Sequence, residues 1–335
     1  MENEHIIIRR QGVLGRLTLN RPGTLNALTK PMFEAVSQAL LDWERDPNIA
    51  SILIDAVPGR AFCAGGDVRA IYELGKARDP QALEIFATEY RMNAAIARCT
   101  KPYISILDGL VMGGGAGISV HGQYRIATEN TLFAMPETAI GFFPDVGGSF
   151  FLSRCPGMLG LYLGLTGSRI DAADMLYTGL ATHYVPQVKI AEIILRFGRG
   201  EDPQQVLCEF TSEGSNSTLS RNRTVIDRVF GAGSLEKILI GLTAEQEWGS
   251  KTAKLLRRRS PTSLCLVHQQ LIEGAKRELE SCLEMELAIA EKMLERHDFY
   301  EGVRAVLVDK DKSPQWRPAM IEDVEIEQIL SFFQN

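Results

Sequence analysis

The sequence predicts a mixed α/β core over residues 1–200, followed by a helical region over residues 201–335. Strand-like apolar runs and amphipathic helical segments alternate through the first part, with glycine-rich links between them. Beyond about residue 190 the hydrophobic pattern is almost wholly helical. The 335 residues are 45% hydrophobic and 23% charged, which is typical of a globular protein of about two domains. We expect the active site in the first of them.

The first predicted elements are a β-hairpin and a helix. Residues 5–10 and 13–20 are strand-like runs, and residues 11–12 supply the turn between them. Thr29 has the side chain of a helix N-cap. The helix is expected to continue to about Arg45, because its apolar side chains fall on one stripe: Met32, Phe33, Val36, Leu40 and Trp43.

Strands and helices then alternate as far as the centre of the chain. Residues 50–56 form an apolar run typical of a strand, and Asp67 is a predicted N-cap for a helix over residues 68–74. A further helix is expected over residues 80–98, ahead of a buried strand over residues 103–107. The glycine-rich turns between such elements are where ligands are expected to bind.

The second half is predicted to be mainly helical. Helices are expected over residues 150–163 and 171–177, and a short last strand over residues 182–186. The polar residues 212–220 predict a linker. One long helix, capped by Ser260, is expected to end near residue 296, because an apolar stripe runs along it: Leu264, Val267, Leu271, Ala275, Leu279, Leu283 and Ala290.

Composition and termini argue against several classes of protein. The net charge of -6 and the pI of about 5.6 argue against nucleic-acid binding. No apolar run approaches the roughly 20 residues of a membrane helix, and neither terminus shows a targeting pattern. The six cysteines and five histidines show no disulfide framework or metal-ligand spacing. We therefore expect a cytoplasmic protein that binds no metal, nucleic acid or membrane.

The glycine-rich stretch over residues 109–148 contains the candidate chemistry. Glycines 113–115 follow the predicted buried strand, so backbone N–H groups can approach a ligand without intervening side chains. Glu137 and Asp145 each follow a proline in an apolar segment, where an unpaired carboxylate is costly. Each feature alone is also typical of a tight turn or a helix start. Their combination, with a second glycine-rich stretch upstream, favours a catalytic site.

These motifs resemble the enoyl-CoA hydratase/isomerase (crotonase) superfamily. Four segments occur in its order and spacing: FCAGGD at 62–67, GLVMGGG at 109–115, Pro-Glu at 136–137 and Gly-Gly at 147–148. The similarity spans residues 5–200 and is weaker at 298–305 and 314–316. Within the superfamily, the 3-hydroxyisobutyryl-CoA hydrolases are most similar in three segments and at residues 309–314: SVHGQYR at 119–125, FAMPETAIG at 133–141 and FPDVGG at 143–148.

The resemblance implies a crotonase-like spiral of repeated ββα units followed by a helical C-terminal region. It also implies that the backbone N–H groups of Gly66 and Gly114 form an oxyanion hole for the thioester carbonyl of an acyl-CoA substrate. Thioester cleavage places negative charge on that oxygen, and one preorganised donor is worth roughly 2.7–4 kcal/mol. Asp67 is then expected to cap a helix rather than to catalyse.

One departure from the hydratase pattern indicates the subclass. Hydratases of the superfamily use two glutamates, whereas this chain has Glu137 at the second position and Gly117 at the first. Asp145 supplies another carboxylate, and the hydrolases carry both acids. The resemblance therefore implies hydrolysis of a short-chain 3-hydroxyacyl-CoA, above all 3-hydroxyisobutyryl-CoA in valine catabolism. Glu137 and Asp145 would be catalytic. Glu89 matches a substrate-binding acid of the hydrolases, although its position is also typical of a solvated charge on a helix.

The mechanism stays open between two routes. Either Glu137 attacks the thioester carbonyl to give a mixed anhydride, or a carboxylate activates water directly. We favour Glu137 as the reactive carboxylate and Asp145 as its partner. CoA enters as part of the substrate, so no separate cofactor is expected, and its phosphates would bind cations from the set Arg60, Arg69 and Lys310. The resemblance also implies a trimer-based homo-oligomer, although the longer C-terminal region leaves the oligomeric state open.

Two other functions and the acyl group also stay open. An enoyl-CoA hydratase or isomerase with Glu137 as its single base would release no thiol. A non-catalytic acyl-CoA-binding protein would need neither Glu137 nor Asp145. The 3-hydroxyisobutyryl and 3-hydroxypropionyl groups differ by one methyl, which a pocket discriminates by only about 1–3 kcal/mol.

Overall fold

The computed structural model describes residues 4–211 and 216–334. Within these ranges the chain forms ten β-strands in two sheets and sixteen α-helices. The last of these strands ends at Tyr184, and the described residues beyond it form helices and their connections. The predicted order, a mixed α/β part followed by a helical part, is confirmed.

The N-terminal hairpin and the first helix follow the prediction closely. Strands β1 (Ile6–Gln11) and β2 (Leu14–Leu19) pair in antiparallel fashion. Helix α1 (Lys30–Arg45) then buries four of the five predicted stripe residues, while Trp43 is half-buried. The helical period of these apolar side chains therefore correctly marks the face that packs inward.

The remaining strands are short, and successive strands belong to different sheets as far as β8. Their bounds are β3 (Ser51–Ala56), β4 (Ala61–Cys63), β5 (Tyr103–Leu107), β6 (Leu110–Met112), β7 (Tyr124–Ala127), β8 (Leu132–Ala134), β9 (Ile170–Asp171) and β10 (His183–Tyr184). The larger sheet has the order β1-β2-β3-β5-β7-β10, and β2, β3, β5, β7 and β10 run parallel. The smaller sheet has the order β4-β6-β8-β9. Each consecutive pair from β3 to β8 thus sends one strand to each sheet.

Helices complete these strand pairs as repeated units. The helices of this part are α2 (Val68–Lys76), α3 (Gln81–Arg98), α4 (Gly114–Gly117), α5 (Gly148–Ser153), α6 (Leu159–Thr166) and α7 (Ala172–Thr178). In chain order, β3-β4 leads to α2, β5-β6 to α4 and β7-β8 to α5. This succession of ββα units confirms the predicted fold class.

The C-terminal part contains nine further helices in the described ranges. They are α8 (Gln187–Gly198), α9 (Pro203–Phe210), α10 (Thr218–Phe230), α11 (Leu235–Thr243), α12 (Gln246–Leu256), α13 (Pro261–Gly274), α14 (Leu279–Met293), α15 (His297–Val303) and α16 (Ile326–Ser331). In the described part of the chain, a helix with the length and apolarity of a membrane span is not found.

Two predicted helices are each split into two. The helix expected over residues 150–163 is interrupted between α5 and α6, where Pro156 lacks a backbone donor and Gly157 adopts a left-handed φ of 54°. The long helix expected from Ser260 ends instead at Gly274, and α14 starts at Leu279. The apolar stripe continues across both breaks because each half buries the same kind of face, so periodicity alone did not reveal them.

The predicted linker over residues 212–220 is wrong at its C-terminal end. Residues 212–215 lie outside the described part, but Thr218–Phe230 is already helix α10. The buried carboxylate of Asp174 accepts hydrogen bonds from Ser217 Oγ at 2.6 Å and from the Leu219 amide at 2.8 Å. These bonds stabilise the first turn of α10 and tie it to α7.

Contacts group the described residues into two units, and each unit draws on three stretches of sequence. The first unit covers residues 1–67, 88–133 and 169–220 where they are described, and the second covers 68–87, 134–168 and the rest. The first contains the sheets and a core of buried apolar side chains: Leu14, Leu53, Ile104, Ile106, Ile126, Val185, Ile193, Ile194, Phe197, Val206 and Leu207. This grouping does not decide the predicted division at residue 200, which stays a prediction.

Candidate active site

The first unit presents the glycine turn that follows β4. Three hydrogen bonds with Leu25 and Leu28 hold this turn, residues 64–67. The Ala64 amide donates to the Leu25 carbonyl at 3.0 Å, the Leu28 amide donates to Gly65 at 2.9 Å, and the Asp67 amide donates to Leu28 at 2.8 Å. A neighbouring segment therefore fixes the backbone around Gly66, as a preorganised donor requires.

Gly66 and Gly114 lie side by side in this unit. Gly114 begins the short helix α4 directly after Gly113, whose φ of 47° requires glycine. A Cβ atom added to Gly114 would lie 3.1 Å from the Gly66 nitrogen. The structure thus brings together the two predicted oxyanion-hole residues, although the role itself stays a prediction.

The carboxylate of Glu89 contacts the same place. A Cβ atom on Gly114 would lie 2.4 Å from Oε1 of Glu89, and one on Gly66 would lie 3.8 Å from its Oε2. Glu89 belongs to helix α3, and only 3% of its surface is exposed. The predicted substrate-binding acid is therefore buried beside both predicted donors, which argues against a solvated helix charge.

Asp67 lies at the predicted helix start and also forms an ion pair. Helix α2 begins directly after it, as predicted, and its carboxylate forms an ion pair with Arg21 at 3.1 Å. The same guanidinium donates to the carbonyl of Ala27 at 3.0 Å. Asp67 therefore helps to fix the segment that holds the glycine turn, which is a structural role.

In the second unit, Glu137 opens a 3₁₀ helix, Glu137–Ile140, directly after Pro136. Its side chain and that of Asp145 are 7% and 6% exposed. Burial, together with the charge of Asp145, raises the pKa of Glu137 well above its usual range. Among the described residues, no hydrogen-bond partner lies within reach of Glu137 Oε2. The two acids are thus electrostatically coupled, as the prediction of a carboxylate pair requires.

Helix α15 supports the segment that carries Glu137. A Cβ atom on Gly302 would lie 2.3 Å from the Ile140 carbonyl carbon, and one on Gly141, whose φ is 67°, would lie 2.0 Å from the Asp298 carbonyl oxygen. Both approaches require glycine, because any side chain would displace backbone. This packing gives a physical reason for the similarity noted at residues 298–305.

Aromatic rings extend the same support. The ring of Phe142 lies 4.4 Å from that of Phe143, 5.2 Å from Phe86 and 5.5 Å from Phe299 between centroids. Rings at these separations and tilts attract one another beyond their simple burial. The segment between Glu137 and Asp145 therefore packs against a cluster of aromatic side chains.

Sequence reasoning missed three polar residues that hold the loop of Asp145. Glu286 accepts hydrogen bonds from the Gly147 amide at 2.7 Å, the Ser149 amide at 2.8 Å and Ser149 Oγ at 2.6 Å. Gln270 Nε2 donates to the Pro144 carbonyl at 2.7 Å and to Ser149 Oγ at 2.8 Å. Burial raises the pKa of Glu286 to about 8, even though these bonds from Ser149 and Gly147 lower it.

A signal for Glu286 was present in the sequence. On α14 it occupies a position of the buried stripe, between Leu283 and Ala290, where an apolar residue is expected. An acid at such a position must be satisfied by hydrogen bonds or used in chemistry. Its partners lie more than 130 positions earlier, so the sequence could indicate the anomaly but not its cause.

The candidate cations for CoA phosphates are all exposed. Arg60, Arg69 and Lys310 each have an exposed side chain, and Lys310 lies at a left-handed φ of 59°. Exposure leaves all three able to meet a phosphate. It does not rank them, so their role stays a prediction.

The comparison with known proteins identifies the family. The model of the enoyl-CoA hydratase/isomerase family matches residues 14–333. The chain belongs to this family. The resemblance inferred from the glycine and carboxylate motifs is therefore confirmed, and the family extends over both units.

Two relatives and two solved structures show where the chain lies within the family. A 3-hydroxyisobutyryl-CoA hydrolase of Rattus norvegicus is 42% identical over 100% of this chain and 90% of the relative. The Homo sapiens enzyme of the same name is 42% identical over 99% and 89%. A carnitinyl-CoA dehydratase from Mycobacterium thermoresistibile superposes with a TM-score of 0.95 at 38% identity, covering 99% and 97%. An enoyl-CoA hydratase from Rhodobacter sphaeroides 2.4.1 gives 0.94 at 37% identity, covering 98% and 97%.

These relatives also correct one prediction. The rat and human enzymes are named as mitochondrial proteins. The cytoplasmic location inferred from composition and from the N-terminus is therefore wrong. The failed inference rested on composition and on the lack of a targeting pattern at either terminus, which is a weak basis for a location.

Proposed function

We propose that this chain hydrolyses a short-chain 3-hydroxyacyl-CoA thioester, above all 3-hydroxyisobutyryl-CoA, to the free acid and CoA. The observation that carries the proposal is the pair of buried acids, Glu137 and Asp145, in a chain 42% identical to hydrolases of that name. A second acid suits the hydrolases, whereas the first glutamate of the hydratases is replaced by Gly117. The names of these relatives also support a mitochondrial location. The role in valine degradation that the resemblance implies stays part of the proposal.

In the proposed reaction, an oxygen of ionised Glu137 attacks the thioester carbonyl carbon. The C–S bond breaks, and the thiolate takes a proton from water, or from Asp145 when the proton that the two acids share lies on Asp145. A water molecule then cleaves the anhydride, which releases the acid product and regenerates Glu137. The alternative is that Glu137 removes a proton from water, which attacks directly. The raised pKa of Glu137 suits both routes, because a more basic carboxylate is the better nucleophile and the better base.

The amides of Gly66 and Gly114 would stabilise the carbonyl oxygen as negative charge develops on it. Their proximity and fixed backbone support this role. Glu89, buried beside them, would bind the substrate. The CoA phosphates would bind to cations from the set Arg60, Arg69 and Lys310. The expected assembly is a trimer-based homo-oligomer.

The proposed chemistry draws only on water and the chain's own residues, so no metal or redox cofactor is included. The described residues contain no group of three or more His, Cys, Asp or Glu side chains arranged to bind a metal. The proposal of a metal-free site is tested by assaying the protein before and after dialysis against a chelator. Unchanged thiol release is the expected result.

A thiol-release assay across short acyl-CoA esters tests the proposed function. We expect thiol release to be fastest from 3-hydroxyisobutyryl-CoA. Release from 3-hydroxypropionyl-CoA should be slower by a factor of about 10 to 200, which is the range expected for one methyl group. Free CoA is detected with a thiol reagent. If no ester releases thiol, the proposal that this chain is a hydrolase is overturned.

A hydratase is the second candidate, because the two solved structures described above are named as a dehydratase and a hydratase. Glu137 alone would then act as the base. Loss of the conjugated double bond of an enoyl-CoA, followed by ultraviolet absorbance, reports that reaction directly. Hydration without thiol release from the 3-hydroxyacyl ester would favour this second function.

A further inference from the structure

The loop that carries Asp145 is held from both sides by helices α13 and α14. On one side Gln270 of α13 donates to the Pro144 carbonyl at 2.7 Å. On the other side Glu286 of α14 accepts from the Gly147 amide at 2.7 Å. The two anchored peptide groups flank Asp145 and Val146, so the backbone on both sides of the acid is held by side chains of these helices.

Ser149 connects the two anchors. Its hydroxyl donates to Glu286 at 2.6 Å and accepts from Gln270 at 2.8 Å, while its amide donates to Glu286 at 2.8 Å. Glu286, Gln270 and Ser149 are each 0% exposed. Inside a protein, a buried network of this kind fixes geometry strongly, because breaking one bond leaves a desolvated group.

The held backbone is strained. Val146 has a φ of 54° and Gly147 a φ of 84°, so two consecutive residues are left-handed. Glycine adopts this conformation freely, but for a β-branched residue it is a genuine outlier. Such strain persists only where the surroundings impose it, and it is concentrated at functional sites. The residue next to Asp145 therefore needs the anchor that Glu286 provides.

We propose that Glu286 is a positioning residue for Asp145, which holds the left-handed Val146–Gly147 turn so that the Asp145 carboxyl points at the reacting atoms. The proposal rests on the proposed function in that Asp145 takes part in catalysis. The hydrogen bonds of Glu286 go to the loop itself, to the Gly147 amide and to the amide and hydroxyl of Ser149. Its effect on the rate is exerted through the backbone of the loop.

The central variant is Glu286→Gln, which keeps the volume of the side chain. Both carboxyl oxygens can accept in either protonation state, whereas the amide has one oxygen and an NH₂ group that cannot accept, so either Gly147 or Ser149 loses its acceptor. We expect kcat to fall by roughly tenfold to a hundredfold, as for displacement of a catalytic group by about 1 Å, with a smaller change in KM. In hydrogen exchange, the amides of Gly147 and Ser149 should lose protection.

Asp174→Asn is the matched control. Asp174 is 5% exposed and accepts one serine hydroxyl and one backbone amide, where Glu286 accepts one serine hydroxyl and two backbone amides. The same change from carboxylate to amide should lower the melting temperature but leave kcat within about twofold of wild type. A similar loss of kcat in both variants would reduce Glu286 to a stability role and overturn the proposal.

A double-mutant cycle decides whether Glu286 acts through Asp145. In the Asp145→Asn background, Glu286→Gln should cost little further kcat, because residues that act as one unit are not additive. An equal fold-loss in both backgrounds would contradict the proposal, as would a fully active Asp145→Asn protein. Ser149→Ala removes one donor to Glu286 and one acceptor of Gln270, and keeps the backbone bonds. It should give a smaller loss of kcat, which should again be reduced in the Asp145→Asn background. This variant replaces Glu286→Gln in the cycle if Glu286→Gln does not fold.

The cycle is measured on whichever acyl-CoA reaction the wild-type protein performs, thiol release or enoyl-CoA hydration. Failure of the wild type to release thiol overturns the hydrolase proposal alone. The coupling between Glu286 and Asp145 is then decided on the other reaction. Amide exchange at Gly147 and Ser149 needs no turnover and gives a further, independent result.

Discussion

The carboxylate of Glu89 lies so close to Gly114 that a methyl group on that α-carbon would stand 2.4 Å from Oε1. Glycine at this position therefore has two consequences. It exposes a backbone amide, and it makes room for an acid from helix α3. The proposed donor and the proposed substrate-binding acid constrain each other, so a change at either should be felt by both.

Gly114→Ala tests this constraint. The added methyl would displace the Glu89 carboxylate and crowd the Gly66 nitrogen at 3.1 Å, so we expect kcat to fall at least about tenfold. Gly23→Ala is the control, because a Cβ atom there would have no neighbour within 4 Å among the described residues. Steady-state thiol release measures both. Wild-type kcat in Gly114→Ala would remove this glycine from the mechanism.

Glu137→Gln should abolish nearly all hydrolysis while leaving the fold intact. An amide can neither form the anhydride nor serve as a base. Because burial already disfavours the ionised form of Glu137, the uncharged amide should keep or raise the melting temperature. Thiol release and thermal unfolding of the same sample give the two values. If hydroxylamine added during turnover forms a hydroxamate on Glu137 of the wild-type protein, the covalent route is supported. Full activity in Glu137→Gln would end the assignment of Glu137 as the reactive carboxylate.

Asp145→Asn should shift the pH profile of the remaining activity. The reaction needs ionised Glu137, so kcat/KM falls as the pH drops through its pKa. The charge of Asp145 helps to raise that pKa, and removing it lowers the pKa, so the acid limb should move to lower pH. The measurement is kcat/KM against pH for both proteins. An unmoved limb would show that the two carboxyls are not coupled.

Asn93→Leu should stabilise the protein. Asn93 is 0% exposed on α3, and neither polar atom of its side chain has a hydrogen-bond partner in the described part of the chain. Burying such a group costs about 1–3 kcal/mol, which leucine of similar size avoids. Denaturant unfolding should show that gain. By contrast, Asn26→Leu should destabilise, because Asn26 accepts from the Arg21 amide and donates to Ala61.

The contribution of Glu286 to the free energy of unfolding should decline as the pH rises from about 4.5 towards 8. Burial raises the pKa of Glu286 from 4.5 to about 8, so the folded protein binds this proton more tightly than the unfolded chain. Stability therefore falls with pH wherever the folded state holds the extra proton, between the two pKa values. Glu286→Gln has no such proton and should show a shallower slope in denaturant unfolding at several pH values. Identical slopes would contradict the raised pKa.

Much of the fold was predictable from local signals. The helical stripe from Met32 to Leu40 and the apolar run at residues 103–107 identified their elements correctly, because each pattern reflects one face or one buried strand. The breaks at Pro156 and after Gly274 were missed. A helical period persists across a short interruption when both halves bury the same face.

The site was predictable only in part. Gly66, Gly114 and Glu89 were named separately, and the structure brings them together. Glu137 and Asp145 were suspected from their apolar surroundings, and both are buried. The network around Ser149 was not foreseen, because its hydrogen bonds join residues more than 100 positions apart and leave no periodic pattern.

The anchors of the Asp145 loop also set an order of events during synthesis. Pro144, Gly147 and Ser149 precede their side-chain partners on α13 and α14 by 121 to 139 positions. A ribosome makes the loop long before it makes Gln270 and Glu286, and closing contacts of this range is slow. Until its C-terminal helices emerge, the nascent chain therefore lacks the side chains that hold this loop, and the last third of the polypeptide completes its anchoring.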